Sequence, residues 1–155
     1  MQITILKEYE ELSMRNKLFR RNPEGLTTEE IESLEQKMNS QNEFPKTLRE
    51  FLAIGGKFDS IGFDGTSTGS HDLIHTHYKA KALARGIKLR RPFFIITILD
   101  GKCFTFVYLD EGDNPQPWNC SIDEGYDSDE NEQLWKTPYN TLSELILDHV
   151  KSAQI

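Results

Sequence analysis

Phe44-Pro45-Lys46-Thr47-Leu48-Arg49-Glu50-Phe51-Leu52-Ala53-Ile54-Gly55-Gly56 reads as one short helix with a marked start, a marked stop and a single apolar stripe. Pro45 suits the first turn, where its missing N–H has no partner to lose and its ring pre-sets φ. Leu48, Phe51 and Leu52 then fall at i, i+3 and i+4 on one face, with Lys46, Arg49 and Glu50 expected on the other. Gly55 and Gly56 are candidates for the left-handed conformation that ends a helix. A helix this short is marginal alone, so its stripe must pack against the rest of the chain.

Upstream, Thr27-Thr28-Glu29-Glu30 spells a capping box, flanked by Leu26 and Ile31 where a hydrophobic staple sits. Ile31, Leu34 and Met38 make the stripe of that helix, and Asn39-Ser40-Gln41-Asn42 stops it. Residues 4–20 are expected to form an earlier helix carrying Ile5, Tyr9 and Leu12, closed by the turn Asn22-Pro23-Glu24-Gly25. Downstream of Lys57 the period changes. Phe58, Ile61 and Phe63 suggest a short irregular strand and then a loop, and His71 to Gly86 a helix with Ile74, Tyr78 and Leu83 as its apolar positions.

The clearest strands follow. Phe93-Phe94-Ile95-Ile96-Thr97-Ile98 is nearly all apolar, which predicts a central strand covered on both faces. Asp100-Gly101 signals a hairpin. Cys103 to Leu109 returns with Phe104, Phe106 and Tyr108 on one face, Trp118 to Ile122 reads as a third, edge strand, and Leu134 to Tyr139 as a further extended piece. Thr141-Leu142-Ser143-Glu144 is a second capping box, opening a helix to about Lys151 with Leu142, Leu145, Ile146 and Val150 inward. Helices, then a meander of strands, then a helix is the order of an α+β fold: an antiparallel-rich β-sheet packed with N-terminal helices and a C-terminal helix. We expect one domain over 1–155, with a helix and turn in 1–25.

The totals agree with that reading. A chain of 155 residues, 37% hydrophobic and 28% charged, can bury a core without disulfide or metal. Its net charge of −7 argues against general nucleic-acid or anionic-membrane binding and leaves basic proteins as natural partners. The charged residues Lys7, Glu8, Glu10 and Glu11 do not fit a signal-peptide core, and no apolar run approaches a membrane span. Cys103 and Cys120 form no CxxC, which points to a reducing, cytoplasmic setting and to thiols acting as small buried hydrophobes.

The residues Ile31, Leu34, Glu35, Phe44, Pro45, Phe51, Leu52, Gly55 and Gly56 together resemble the signature of the SUKH superfamily. That group gathers fungal cell-wall (glucan) synthesis regulators and many bacterial immunity proteins. The resemblance is specific over 31–56, within a signature region of 26–56, and extends in outline to about residue 150. It implies a non-catalytic binding protein, typically one that neutralises a secreted toxin, often a nuclease or nucleic-acid deaminase, by direct contact. It also leaves a second reading open, an intracellular regulatory scaffold of the cell-wall synthesis regulator type.

Three constellations bear on function. The first is acidic: Asp110, Glu111, Asp113, Asp123, Glu124, Asp127, Asp129, Glu130 and Glu132 lie between Lys102 and Lys136 with no basic residue among them. They read as a solvated loop or as a surface for a basic partner, with Trp118 as an aromatic anchor at its centre or as a core residue beneath it. Asp127, Asp129 and Asn131 imitate an EF-hand loop, but Glu132 replaces the required Gly and Pro138 the closing Glu, so that motif fails. The second is His71, His75 and His77, of which the first two share a helical face at a metal-site spacing. It offers a rival reading, a small metal-dependent enzyme, although no H-E-x-x-H is present. The third is basic: Lys79, Lys81, Arg85, Lys88, Arg90 and Arg91, with no acid from Leu73 to Leu99. No nucleophile elbow or Walker loop occurs. The expectation is therefore no catalysis, no cofactor, no metal and no small-molecule substrate. A protein partner, probed by the acidic stretch, is expected instead: a basic toxin domain.

Overall fold

The computed structural model describes residues 1–63, 70–123 and 133–155. Its elements run α1 (Lys7–Met14), α2 (Thr28–Met38), α3 (Lys46–Gly55), α4 (His71–Ala84), β1 (Phe93–Leu99), β2 (Cys103–Tyr108), β3 (Pro117–Ser121), β4 (Leu134–Lys136) and α5 (Leu142–Ala153). The strands form one antiparallel sheet in the order β1-β2-β3-β4, and the architecture is α+β.

The local signals with their own hydrogen bonds hold. The Thr27 hydroxyl accepts from the Glu30 N–H while the Glu30 carboxylate accepts from the Thr27 N–H, closing the capping box of α2. At α5 the Thr141 hydroxyl caps the Glu144 N–H, but the Glu144 side chain turns to the Asn140 N–H instead. Asp100 and Gly101 both take positive φ, 53° and 69°, and Lys102 N–H bonds to Leu99 O, the mirror-image turn that suits strand twist.

Period two splits the sheet's side chains between two cores. On one face Phe94, Ile96, Val107 and Leu109 meet Tyr9, Ile31, Leu48, Phe51, Leu52, Leu145 and Ile146 from α1, α2, α3 and α5, with Phe44 from just ahead of α3. On the other, Phe93, Ile95, Phe104, Phe106 and Tyr108 meet Ala82 and Ile87, with Ile74 and Tyr78 of α4 packed against them. Helices therefore lie on both sides of the sheet. A register shift between Ile95 and Thr97 inserts a bulge that lets Ile96 serve the first core and Ile98 the second.

Several expectations are corrected. The first helix spans Lys7–Met14, not 4–20: Asn16 takes φ 56°, and Leu18 leaves the helix to bridge Gln154 while Phe19 is 80% exposed. Phe58 makes one isolated bridge to Glu24, and no strand forms between Lys57 and Phe63. β1 is covered on both faces as expected, yet it is a sheet edge, because facial burial comes from the helices and says nothing about strand neighbours. Conversely β3 is interior, with β4 beyond it. Leu83 is 59% exposed, its place on the core taken by Ile87 after the chain reverses at Gly86.

α3 holds the largest correction. Leu48, Phe51 and Leu52 are fully buried, but so are Thr47 and Glu50. The Glu50 carboxylate accepts N–H bonds from Thr4, Ile5 and Leu6 at 2.9–3.1 Å, capping α1 from a distance in sequence. Nor is Gly56 left-handed, at φ −64°. Close approach explains the diglycine instead: a Cβ at Gly56 would lie 2.6 Å from Leu26 Cγ and from Leu52 O, and one at Gly55 2.3 Å from the Tyr9 hydroxyl.

Candidate functional site

The sequence-contiguous acidic run is divided by the sheet. Asp110, Glu111 and Asp113 lie on the β2–β3 connection, at the end of the sheet where β2 stops and β3 starts, whereas Asp123 lies beyond the far end of β3. Five residues of strand, at about 3.3 Å each, separate the two ends by roughly 17 Å. Glu124, Asp127, Asp129, Glu130 and Glu132 fall outside the described residues.

The near group forms a fastened corner. Arg91, just ahead of β1, grips Asp110 through Nε and Nη2, at 3.1 and 2.5 Å, and Nη2 also reaches Glu111 at 2.8 Å. The guanidinium stacks 3.9 Å above the Tyr108 ring. Hydrogen bonding to Arg91 holds the Asp110 carboxyl below its usual range, and the same bonds push the arginine up. The backbone beneath is tied on both sides. Thr47 N–H donates to Asp113 O at 3.0 Å, joining the connection to the start of α3. Asn114 exchanges bonds with Ser143 (2.8 and 3.0 Å), and Leu142 N–H reaches Pro115 O at 2.7 Å, joining it to the start of α5. Asp113 also forms one lip of a cleft of about 350 Å³ walled by Met1, Gln2, Glu43, Lys46 and Arg49.

Trp118 is half-buried on β3, edge-on to Tyr108 at 6.0 Å with Lys136 Nζ 5.6 Å from its centroid. Its indole N–H is buried with no acceptor among the described residues. It belongs to the sheet face and is no projection from the acidic corner. Asp123 is held from the other side: Arg85, at the end of α4, donates to Asp123 O at 2.6 Å.

The histidines do not converge. His71 is buried, its Nε2 2.6 Å from Gly56 O and its ring 5.3 Å from Phe94. His75, one turn on, lies 4.4 Å from Phe93, and burial pushes its pKa down to about 4. Phe93 and Phe94 face opposite cores, so the two rings clasp the edge of β1 from either side. His77 packs on Tyr78. Among the described residues no group of three or more His, Cys, Asp or Glu is arranged to hold a metal ion. The two cysteines are free, and burial pushes the Cys120 thiol up to about 12.

Sequence reasoning missed the buried carboxylates. Glu35 accepts from Phe44 N–H at 2.5 Å and pairs with Arg49 Nε at 3.1 Å, off the hydrogen-bond direction, locking α2 to the start of α3. Asp59 turns the chain after α3 by accepting from Ile61, Gly62 and Phe63 N–H, while its carbonyl accepts from the Tyr9 hydroxyl. Glu50 does the same for α1. Position beside a stripe residue does not mark these carboxylates, because Glu32 next to Ile31 and Glu144 next to Leu145 share that placement and are exposed.

Comparison of the chain with protein-family models, with curated proteins and with solved structures finds no match in any of the three. No helix among the described residues is long and apolar enough to cross a membrane.

Proposed function

We propose that this protein is a non-catalytic binding module that neutralises a basic protein partner by direct contact, as the SUKH resemblance implies for an immunity protein facing a nucleic-acid-directed toxin. One observation carries the reading: the corner Asp110-Glu111-Gly112-Asp113 is acidic, exposed and anchored by backbone bonds to α3 and α5. A binding surface that is already ordered loses little conformational entropy on association. Arg91 orients two of the carboxylates and leaves a net negative charge, so a partner's Lys and Arg side chains are drawn to the open side. A toxin acting on nucleic acid needs a basic groove to hold phosphates. Covering that groove excludes its substrate, with charge setting the rate of encounter and apolar contacts the lifetime of the complex.

The test begins with the neighbouring reading frames. A large secreted protein with a toxic C-terminal domain encoded alongside supplies the partner, which is co-expressed for growth protection and mixed in stopped flow. The triple variant Asp110→Asn, Glu111→Gln, Asp113→Asn is expected to associate about tenfold more slowly in low salt, with dissociation little changed. Association at the parental rate, or no protection by the parent protein, overturns the proposal.

A further inference from the structure

The return of the chain after α4 holds a cleft that the acidic corner does not explain. After α4 the chain turns at Gly86, Ile87 N–H bonds back to Ala82 O, and residues 87–90 run beside the helix they have just left. Ile87 points into the second core, Leu89 is half-buried, and Lys88 and Arg90 point out. Between this return and Leu83 lies a mainly apolar cleft of about 240 Å³, floored by Leu83, Ile87 and Leu89 and ringed by Lys79, Lys88 and Arg90.

Three features define its occupant. Leu83 is 59% exposed although it sits on a helix beside a core, so this apolar side chain is left without cover. Lys79, Lys88 and Arg90 make no ion pair with any described residue, while the adjoining Arg85 and Arg91 are committed to Asp123 O and to Asp110 and Glu111. The cleft is also smaller than the roughly 300–1,000 Å³ of small-molecule sites, a size that suits one inserted side chain. From these we infer that the Leu83–Ile87–Leu89 cleft is a docking site for an acidic peptide segment of another protein, one aliphatic or aromatic residue entering the cleft and flanking carboxylates meeting Lys79, Lys88 and Arg90. An apolar anchor inside a charged rim is the usual division of labour at such sites: the anchor sets the lifetime, the rim the orientation. The ligand's charge is opposite to that of the partner proposed for the acidic corner, so the two sites stand or fall separately.

The experiment is nitrogen-15 NMR titration of the full chain with a capped pentapeptide holding leucine between two pairs of glutamates, alongside the same peptide with serine at the centre and a third with glutamines as flanks. Shifts confined to residues 79–90 are expected at about 1 mM leucine-centred peptide, the range for one short anchor. Affinity should fall about tenfold with the serine-centred peptide and by a similar factor with Leu83→Ser, whose exposed position leaves folding intact. Lys88→Gln with Arg90→Gln should weaken binding and flatten its salt dependence. Equal binding of the serine-centred peptide, shifts elsewhere on the molecule, or no shifts at all would overturn the site. So would a short single-stranded oligonucleotide that binds the cleft more tightly than the peptide and ignores Leu83→Ser, since that assigns the cations to phosphate.

Discussion

Glu50 offers the sharpest test of how α3 organises the chain. Its carboxylate is fully buried, and a single oxygen, Oε1, accepts all three N–H groups of Thr4, Ile5 and Leu6, while Oε2 takes the Thr4 hydroxyl at 3.2 Å. Hydrogen bonds to a charged group contribute about 1.5–3 kcal/mol each, but four donors on one strap do not add. Glu50→Ala strands those donors unless the strap swings out to water, and swinging out uncovers Ile3 and Leu6, 7% and 0% exposed. Either route costs about 3–5 kcal/mol, the size of breaking a buried charged cluster. Glu50→Gln keeps an oxygen at the Oε1 position and lets the Thr4 hydroxyl accept from the new amide, so it should lose only about 1–2 kcal/mol. Urea unfolding followed by tryptophan fluorescence measures both, because Trp118 and Trp135 report from the sheet. Hydrogen exchange over residues 4–14 separates local release of the strap from global loss. If Glu50→Ala lies within about 1 kcal/mol of the parent, or if the two variants are equal, the carboxylate is not what holds α1.

Other perturbations test neighbouring parts. Phe51→Ala removes a fully buried ring stacked near Tyr9 and Phe63 and should cost about 3–5 kcal/mol in the same urea assay. Gly25→Ala would place a Cβ 1.8 Å from Ala53 O, a backbone atom that cannot rotate aside, so the α2 entry must shift away from α3. A loss of about 1–3 kcal/mol is expected there, and an unchanged urea midpoint would refute the contact. Burial lowers the pKa of His71 and takes that of His75 to about 4, both below the value of about 6.5 for an unfolded histidine. The unfolded chain therefore binds more protons in that window, and stability present above pH ~6.5 is lost as the pH falls toward 4. Urea midpoints should drop across that range, and His75→Gln should flatten the drop.

What was legible in the sequence was local. Thr27 and Glu30, or Asp100 and Gly101, satisfy each other within a few residues, so their types alone predict the geometry. Apolar period was readable in α2, α3, α5 and the first two strands, where Ile31, Leu34, Leu48, Phe51, Leu52, Phe94, Ile96, Phe104, Phe106, Leu145 and Ile146 are all buried, but not in α4, where Leu83 faces out. Strand order was not, because Phe93–Leu99 is apolar through its helical cover and would read the same at the centre or the edge of a sheet. Glu50 escapes the pattern because a charge signals solvent only where no donors wait inside, and the donors that justify its burial arrive from residues 44–46 positions away. Among the described residues the acidic run is split for a related reason. Proximity in sequence from Asp110 to Asp123 hides a strand, and the cation that neutralises Asp110 comes from Arg91, across the sheet from it in sequence order.

That division constrains how a partner can sit. A stable interface takes about 800 Å² and some 20–30 residues from each side, so three carboxylates, two of them already shared with Arg91, supply orientation and rate rather than the bulk of the affinity. Apolar contact must come from close by. Along β3 the nearest large side chain is Trp118, but it is half-buried against Tyr108 and turned to the second core. In the other direction Asp113 opens onto the cleft beside α3, where Met1 is 59% exposed and Gln2 and Lys46 form the walls. A footprint growing from Asp113 over the N-terminal strap and the first turn of α3 gains an apolar contact without uncovering any core. It would also rest on the strap that Glu50 holds in place, so under the proposed function the carboxylate buried in α3 would fix the surface that the corner carboxylates charge.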